Sequence, residues 1–131
     1  MEVETVVYYD RDFSSWWISK KRGHPKKIAN FFSTKGIRLL DAHQLKEFMM
    51  SALEKGVAHQ KLVIFSQDAI PRTIVENVYS TTTFREYLDA GGSVLWIGDI
   101  PLYYFGEYKK EATLVDIQGT PTNMLGIVPV Y

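Results

Sequence analysis

The sequence contains no cysteine. Disulfides, thiolate metal sites and a cysteine nucleophile are therefore excluded. It also lacks net charge, since 15 Lys and Arg balance 15 Asp and Glu. A broadly electrostatic grip on nucleic acid is excluded unless the charges are segregated. No run approaches the roughly 18 consecutive apolar residues of a membrane span, and the first ten residues are too short and too acidic for a signal peptide. A cytoplasmic protein with no membrane partner is expected. The chain has no G-x-x-x-x-G-K-[ST] loop and no G-x-G-x-x-G after its first strand, so the usual phosphate cradles of nucleotide enzymes are missing. A G-x-S-x-G elbow is missing too, although Ser14, Ser15 and Ser66 lie near strand ends. His24, His43 and His59 stand in unrelated contexts, without the H-x-x-x-H or H-E-x-x-H spacing that brings two ligands onto one helix face. No cofactor is expected.

What is present is apolar and aromatic: 46% and 14% of 131 residues, enough to close the core of one domain spanning 1–131. Residues 3–9 form a β-branched and aromatic run ending at Asp10, the pattern of a strand buried on both faces. Pro25 suits the first turn of a helix whose Ile28, Phe31 and Phe32 share one face, and Gly36 stops it. A short apolar run at 37–40 follows. Leu45, Phe48, Met49, Ala52 and Leu53 make the clearest helical stripe, with Asp41 as N-cap, Gln44 three residues on and Gly56 at the end. Residues 61–65 read as a third strand opening into Ser66, Gln67 and Asp68. Thr83 and Glu86 have capping-box spacing for a third helix with Phe84, Tyr87 and Leu88 inside and Gly91 and Gly92 at its end. A fourth strand at 94–97 ends at Gly98 and Asp99, and a fifth is expected beyond residue 101. Strands alternating with amphipathic helices predict an α/β fold: a flavodoxin-like three-layer sandwich with a mostly parallel sheet of about five strands.

In such a sheet, ligands bind outside the carboxyl ends of the strands near the reversal of strand order. The residues there are Asp10, Asp12, Asp41, Asp68 and Asp99. Carboxylates gathered at one edge suit a Mg²⁺ ion, whereas the local reading makes them helix caps and turn residues, and Asp41 fits a cap. The connection from Asp10 to His24 is longer than the usual βα loop. It carries Phe13, Trp16 and Trp17 and then Lys20, Lys21, Arg22 and His24, with Lys26 and Lys27 opening the next helix. Aromatics beside cations stack bases and hold phosphate, although Lys at a helix N-terminus opposes its dipole. Tyr103, Tyr104 and Phe105 add a second aromatic cluster suited to ligand stacking or a protein contact.

The segment at 84–106, FREYLDAGGSVLWIGDIPLYYFG, preceded at 61–71 by KLVIFSQDAIP, resembles the class I glutamine amidotransferase-like superfamily, including its ThuA-like branch. Asn123, Met124, Leu125 and Gly126 look like a segment found later in such domains. The resemblance covers about half the chain and implies a flavodoxin-like scaffold. It also implies a catalytic Cys on the elbow after the strand at 94–97, with a His and a Glu further along. Here that elbow reads Ile97, Gly98, Asp99, Ile100 and Pro101, and no His follows His59. The scaffold is therefore expected without amidotransferase activity, with Asp99 standing on the elbow.

Three readings follow. The first is a non-catalytic ligand-binding or protein-interaction domain of regulatory type, its partners being other domains of the same chain, another protein or a small polar ligand. The candidate cleft would be formed by Asp10, Asp12, Trp16, Trp17, Asp68, Asp99, Tyr103 and Tyr104 beside the basic loop of Lys20, Lys21, Arg22 and His24. The second is a hydrolase or transferase in which the strand-end Asp residues act as acid, base or Mg²⁺ ligands. The third, less favoured, is single-stranded nucleic-acid binding through the loop at 16–27. The sequence stops in an apolar run at 127–131, as expected for one module of a longer protein.

Overall fold

The computed structural model describes residues 2–13, 21–76, 81–97 and 104–110, and the backbone of 113–114. The elements are β1 (Glu4–Tyr8), α1 (His24–Ser33), β2 (Arg38–Leu40), α2 (Ala42–Glu54), a 3₁₀ turn (Ala58–Gln60), β3 (Lys61–Phe65), β4 (Ala69–Pro71), α3 (Thr83–Asp89), β5 (Ser93–Trp96), β6 (Tyr104–Gly106) and β7 (Thr113–Leu114). Four strands form a parallel sheet in the order β2-β1-β3-β5. From β1 the chain steps outward to β2, then returns past β1 to β3 and continues to β5. Right-handed crossovers therefore place α1 on one face and α2 with α3 on the other, which makes three layers. The fold is α/β and flavodoxin-like.

Strand alternation divides the core between the faces. Val6, Tyr8, Val63 and Phe65 join Leu45, Phe48, Met49, Ala52, Phe84 and Tyr87 in one buried cluster, with Val94 and Trp96 packed against it. Val7 and Ile64, adjacent in register, are also buried but point to the face beneath α1. That helix buries only Pro25 and Ala29. Of the three residues expected to share one face, Phe31 is 54% exposed while Ile28 and Phe32 are half-buried.

Two further expectations are adjusted. The N-cap of α3 is Thr82, whose hydroxyl accepts from the Arg85 N–H at 3.1 Å, so the cap stands one residue before Thr83. Residues 69–71, to which the sequence pattern assigns no element, form β4, which pairs with β6 in a separate three-stranded sheet with β7. Tyr104 and Phe105, expected as exposed aromatics, are buried there.

The Gly91 and Gly92 pair has a local cause. Gly91 turns the chain at φ 93°, while a Cβ on Gly92 would lie 2.4 Å from the Tyr87 ring. The Tyr87 hydroxyl lies 3.0 Å from the Lys61 carbonyl oxygen and 2.8 Å from that of Ser93, which ties α3 to the starts of β3 and β5. Burial pushes this phenol well above its ordinary pKa, so it stays a donor.

Candidate functional site

The carboxyl edge is organised around the β1 and β3 ends. Ser66 donates its hydroxyl to the Tyr8 carbonyl oxygen at 2.7 Å. Gln67, almost fully buried, accepts from the Asp10 N–H at 2.7 Å and donates to the carbonyl oxygens of Asp10 and Phe13 at 3.0 and 3.1 Å. One side-chain amide thus closes the first turn of the chain leaving β1. Asp10 spends both carboxylate oxygens on backbone: Oδ1 accepts from Asp12 N–H at 2.9 Å and Oδ2 from Ala42 N–H at 3.0 Å. Asp41 accepts from Gln44 N–H at 2.8 Å, and Gln44 returns the bond to Asp41 N–H at 2.9 Å, completing the expected capping box. Two carboxylates therefore serve the positive end of α2. Tyr8, buried beneath them, is raised well above the ordinary phenol range by burial first and by the Asp10 and Asp41 charges second.

The N-terminus of α1 is built differently. Its N-cap, Gly23, sits in the left-handed region at φ 70° and supplies no capping side chain, and no acidic residue lies in the first turn. Lys26 and Lys27 follow, both exposed. Among the described residues, no carboxylate lies within ion-pairing distance of Lys27. Cations at the positive end of a helix are unfavourable by about 0.3–1 kcal/mol each. Lys27 borders a cleft of about 300 Å³. His24, Pro25, Lys27 and Ile28 form one wall, and Ser66, Asp68 and Ile97 the other. The cleft opens between α1 and the ends of β3 and β5, at the reversal of strand order where α/β sheets bind ligands.

Of the expected site residues, the fold brings His24 and Asp68 into this cleft. Asp68 is 2% exposed. Asp10 and Asp12 belong to the turn beside it, and Tyr104 lies in the second sheet. Lys21 and Arg22 are exposed ahead of α1. Trp16, Trp17, Lys20, Asp99 and Tyr103 lie outside the described residues. Among the described residues, no group of three or more His, Asp and Glu is placed to hold a metal ion. Sequence reasoning missed the part played by Gln67, whose signal was a polar, hydrogen-bonding residue directly after a strand buried on both faces. It also missed Ile28 and Ile97 as apolar lining.

The described residues contain no helix long and apolar enough to cross a membrane. No solved structure matches the chain. A curated relative, "Uncharacterized protein MJECL34" of Methanocaldococcus jannaschii, is 28% identical over 105 residues, covering 78% of this chain and 35% of the relative. The chain thus spans about a third of the length of the curated relative it matches. The model of the MJECL34 family matches residues 3–131, nearly the whole sequence. This chain belongs to the MJECL34 family.

Proposed function

We propose that the chain is a non-catalytic ligand-binding domain whose site is the cleft between α1 and the ends of β3 and β5. Its ligand is a small polar molecule carrying an anionic group and hydroxyls, such as a sugar phosphate. The observation that carries this is the α1 N-terminus, which has no side-chain cap among the described residues, carries Lys27 in its first turn and opens onto a cleft at the reversal of strand order. A helix end with a lysine in its first turn, and no described carboxylate within ion-pairing distance of it, suits an anion from outside. Pro25, Ile28 and Ile97 give the cleft an apolar lining for the ligand body. The commitment of the Asp10 carboxylate to two backbone N–H groups supports binding over acid–base chemistry at that residue. The resemblance to the amidotransferase-like superfamily supports the same reading, since a scaffold without its cysteine keeps a cleft and loses thiol chemistry. Within a longer protein such a domain would pass the ligand signal to its neighbours.

The test is an amide NMR titration with ribose 5-phosphate, inorganic phosphate and ribose. Saturable shifts centred on His24, Lys27, Ser66 and Asp68, strongest for ribose 5-phosphate, are expected. Absence of saturation, or shifts centred elsewhere, would overturn the reading.

A further inference from the structure

A second concave site lies at the opposite, amino-terminal edge of the sheet, independent of the cleft above. It is a groove of about 560 Å³ that reaches from the starts of β1 and β3 along the edge strand β2 and the flank of α2. Its cationic lining is Arg38, Lys55 and Lys61, and its acidic lining is Glu4 and Glu47. Lys61, with a side chain only 18% exposed, hydrogen-bonds Glu4. Arg38 and Lys55 have no carboxylate within ion-pairing distance among the described residues. Glu4 lies below the ordinary carboxylate range chiefly through the Lys61 hydrogen bond; burial opposes this, and the charges of Lys61, Arg38 and Lys55 add to it. Lys61 pairs with Glu4, while Arg38 and Lys55 line the same groove. Arg38 and Lys61 also flank the same ring, with their charged groups 5.9 and 5.8 Å from the Phe48 centroid. Gathering cations in a concave place costs energy through mutual repulsion, and an arriving anion relieves it.

We infer that this groove is a second binding site, for a small organic monocarboxylate with an apolar body. Three cations against two carboxylates leave one positive charge, which a single carboxylate neutralises. The guanidinium of Arg38 offers the planar fork that holds a carboxylate through two parallel hydrogen bonds. Val57 and the edge of Phe48 supply an apolar wall for the rest of the molecule.

The experiment is a titration of the whole chain with benzoate and hexanoate, with benzyl alcohol as neutral control, read by amide NMR and calorimetry at low salt. Both carboxylates are expected to bind saturably, with shifts at 38–40, 48–52 and 55–57, and benzyl alcohol at least about tenfold more weakly. The double variant Arg38→Gln with Lys55→Gln, at two exposed side chains, should lose about tenfold or more in affinity with an unchanged circular dichroism spectrum. Lys27→Gln should bind benzoate as the wild type does. No saturation, equal binding of benzyl alcohol, indifference to the double variant, or shifts centred on 24–28 and 66–68 would each overturn the inference.

Discussion

Two helix N-termini stand near the same edge of the sheet and are treated in opposite ways. At α2, the Asp41 capping box and the Asp10 carboxylate satisfy backbone N–H groups and place negative charge at the positive end. At α1, a left-handed glycine supplies no cap and the first turn carries lysines instead of acids. Both helices start at the carboxyl edge of the same sheet, so position alone does not explain the difference. The first uses its N-terminus to hold the fold together. The second has no side-chain cap among the described residues and borders a cleft. A helix end that contributes little to stability, or opposes it, marks where the sequence serves something other than folding.

The contrast can be broken by mutation. The largest effect is expected at Asp10→Ala, which removes the partner of Ala42 N–H and that of Asp12 N–H together. A loss of about 2 kcal/mol in denaturant unfolding follows from an orphaned helix donor and an opened turn. An effect near zero would mean that Asp10 is held for chemistry and not for the fold. Asp41→Ala should cost about 1 kcal/mol, the usual loss for an N-cap, and Asp41→Asn should recover most of it.

The third helix sharpens the contrast through pH. Glu76 accepts from Thr83 N–H at 3.0 Å and from the Thr83 hydroxyl at 2.6 Å, and pairs with Lys46 of α2 at 3.6 Å. Burial raises its pKa, but the two Thr83 bonds and the Lys46 charge outweigh this, so the folded value lies below the ordinary 4.5. A depressed carboxylate stabilises the fold above its unfolded pKa, and that contribution is lost as pH falls through the folded value. The effect is small, because the side chain is 41% exposed. Unfolding midpoints of wild type and Glu76→Gln should therefore differ near neutrality and converge once the pH is below the folded pKa. A difference that persists undiminished there would contradict the assignment.

Much of the scaffold was legible because its causes are local. Short apolar runs gave the four parallel strands, and the stripe from Leu45 to Ala52 gave α2 with its cap and capping box. Adjacent threonines obscured the start of α3, since the choice of Thr82 over Thr83 depends on Glu76 taking the Thr83 hydroxyl. Spacing put Ile28, Phe31 and Phe32 on one face but did not show that Pro25 and Ala29 are the residues that α1 buries. Strands of two or three residues, as in the second sheet, leave no periodic signal. At the site, His24 and Asp68 were legible from their places near a helix start and a strand end. The partnership of Asp10 with Ala42, 32 residues apart, was not, nor was that of Gln67 with Phe13, 54 apart. Such contacts arise only when strand order brings two loops to one edge.

The smallest stability effect is the most informative. Lys27→Gln removes a cation from the positive end of α1 and from the cleft wall. Denaturant unfolding and a ribose 5-phosphate titration, measured together on this variant, test whether α1 is built for binding. Unfolding free energy should be unchanged or higher by up to about 0.5 kcal/mol, as expected when charge opposing a helix dipole is removed, while affinity falls about tenfold. A stability loss of about 1 kcal/mol or more with affinity intact would show that Lys27 serves the fold, and the contrast between the two helix ends would no longer mark a binding site.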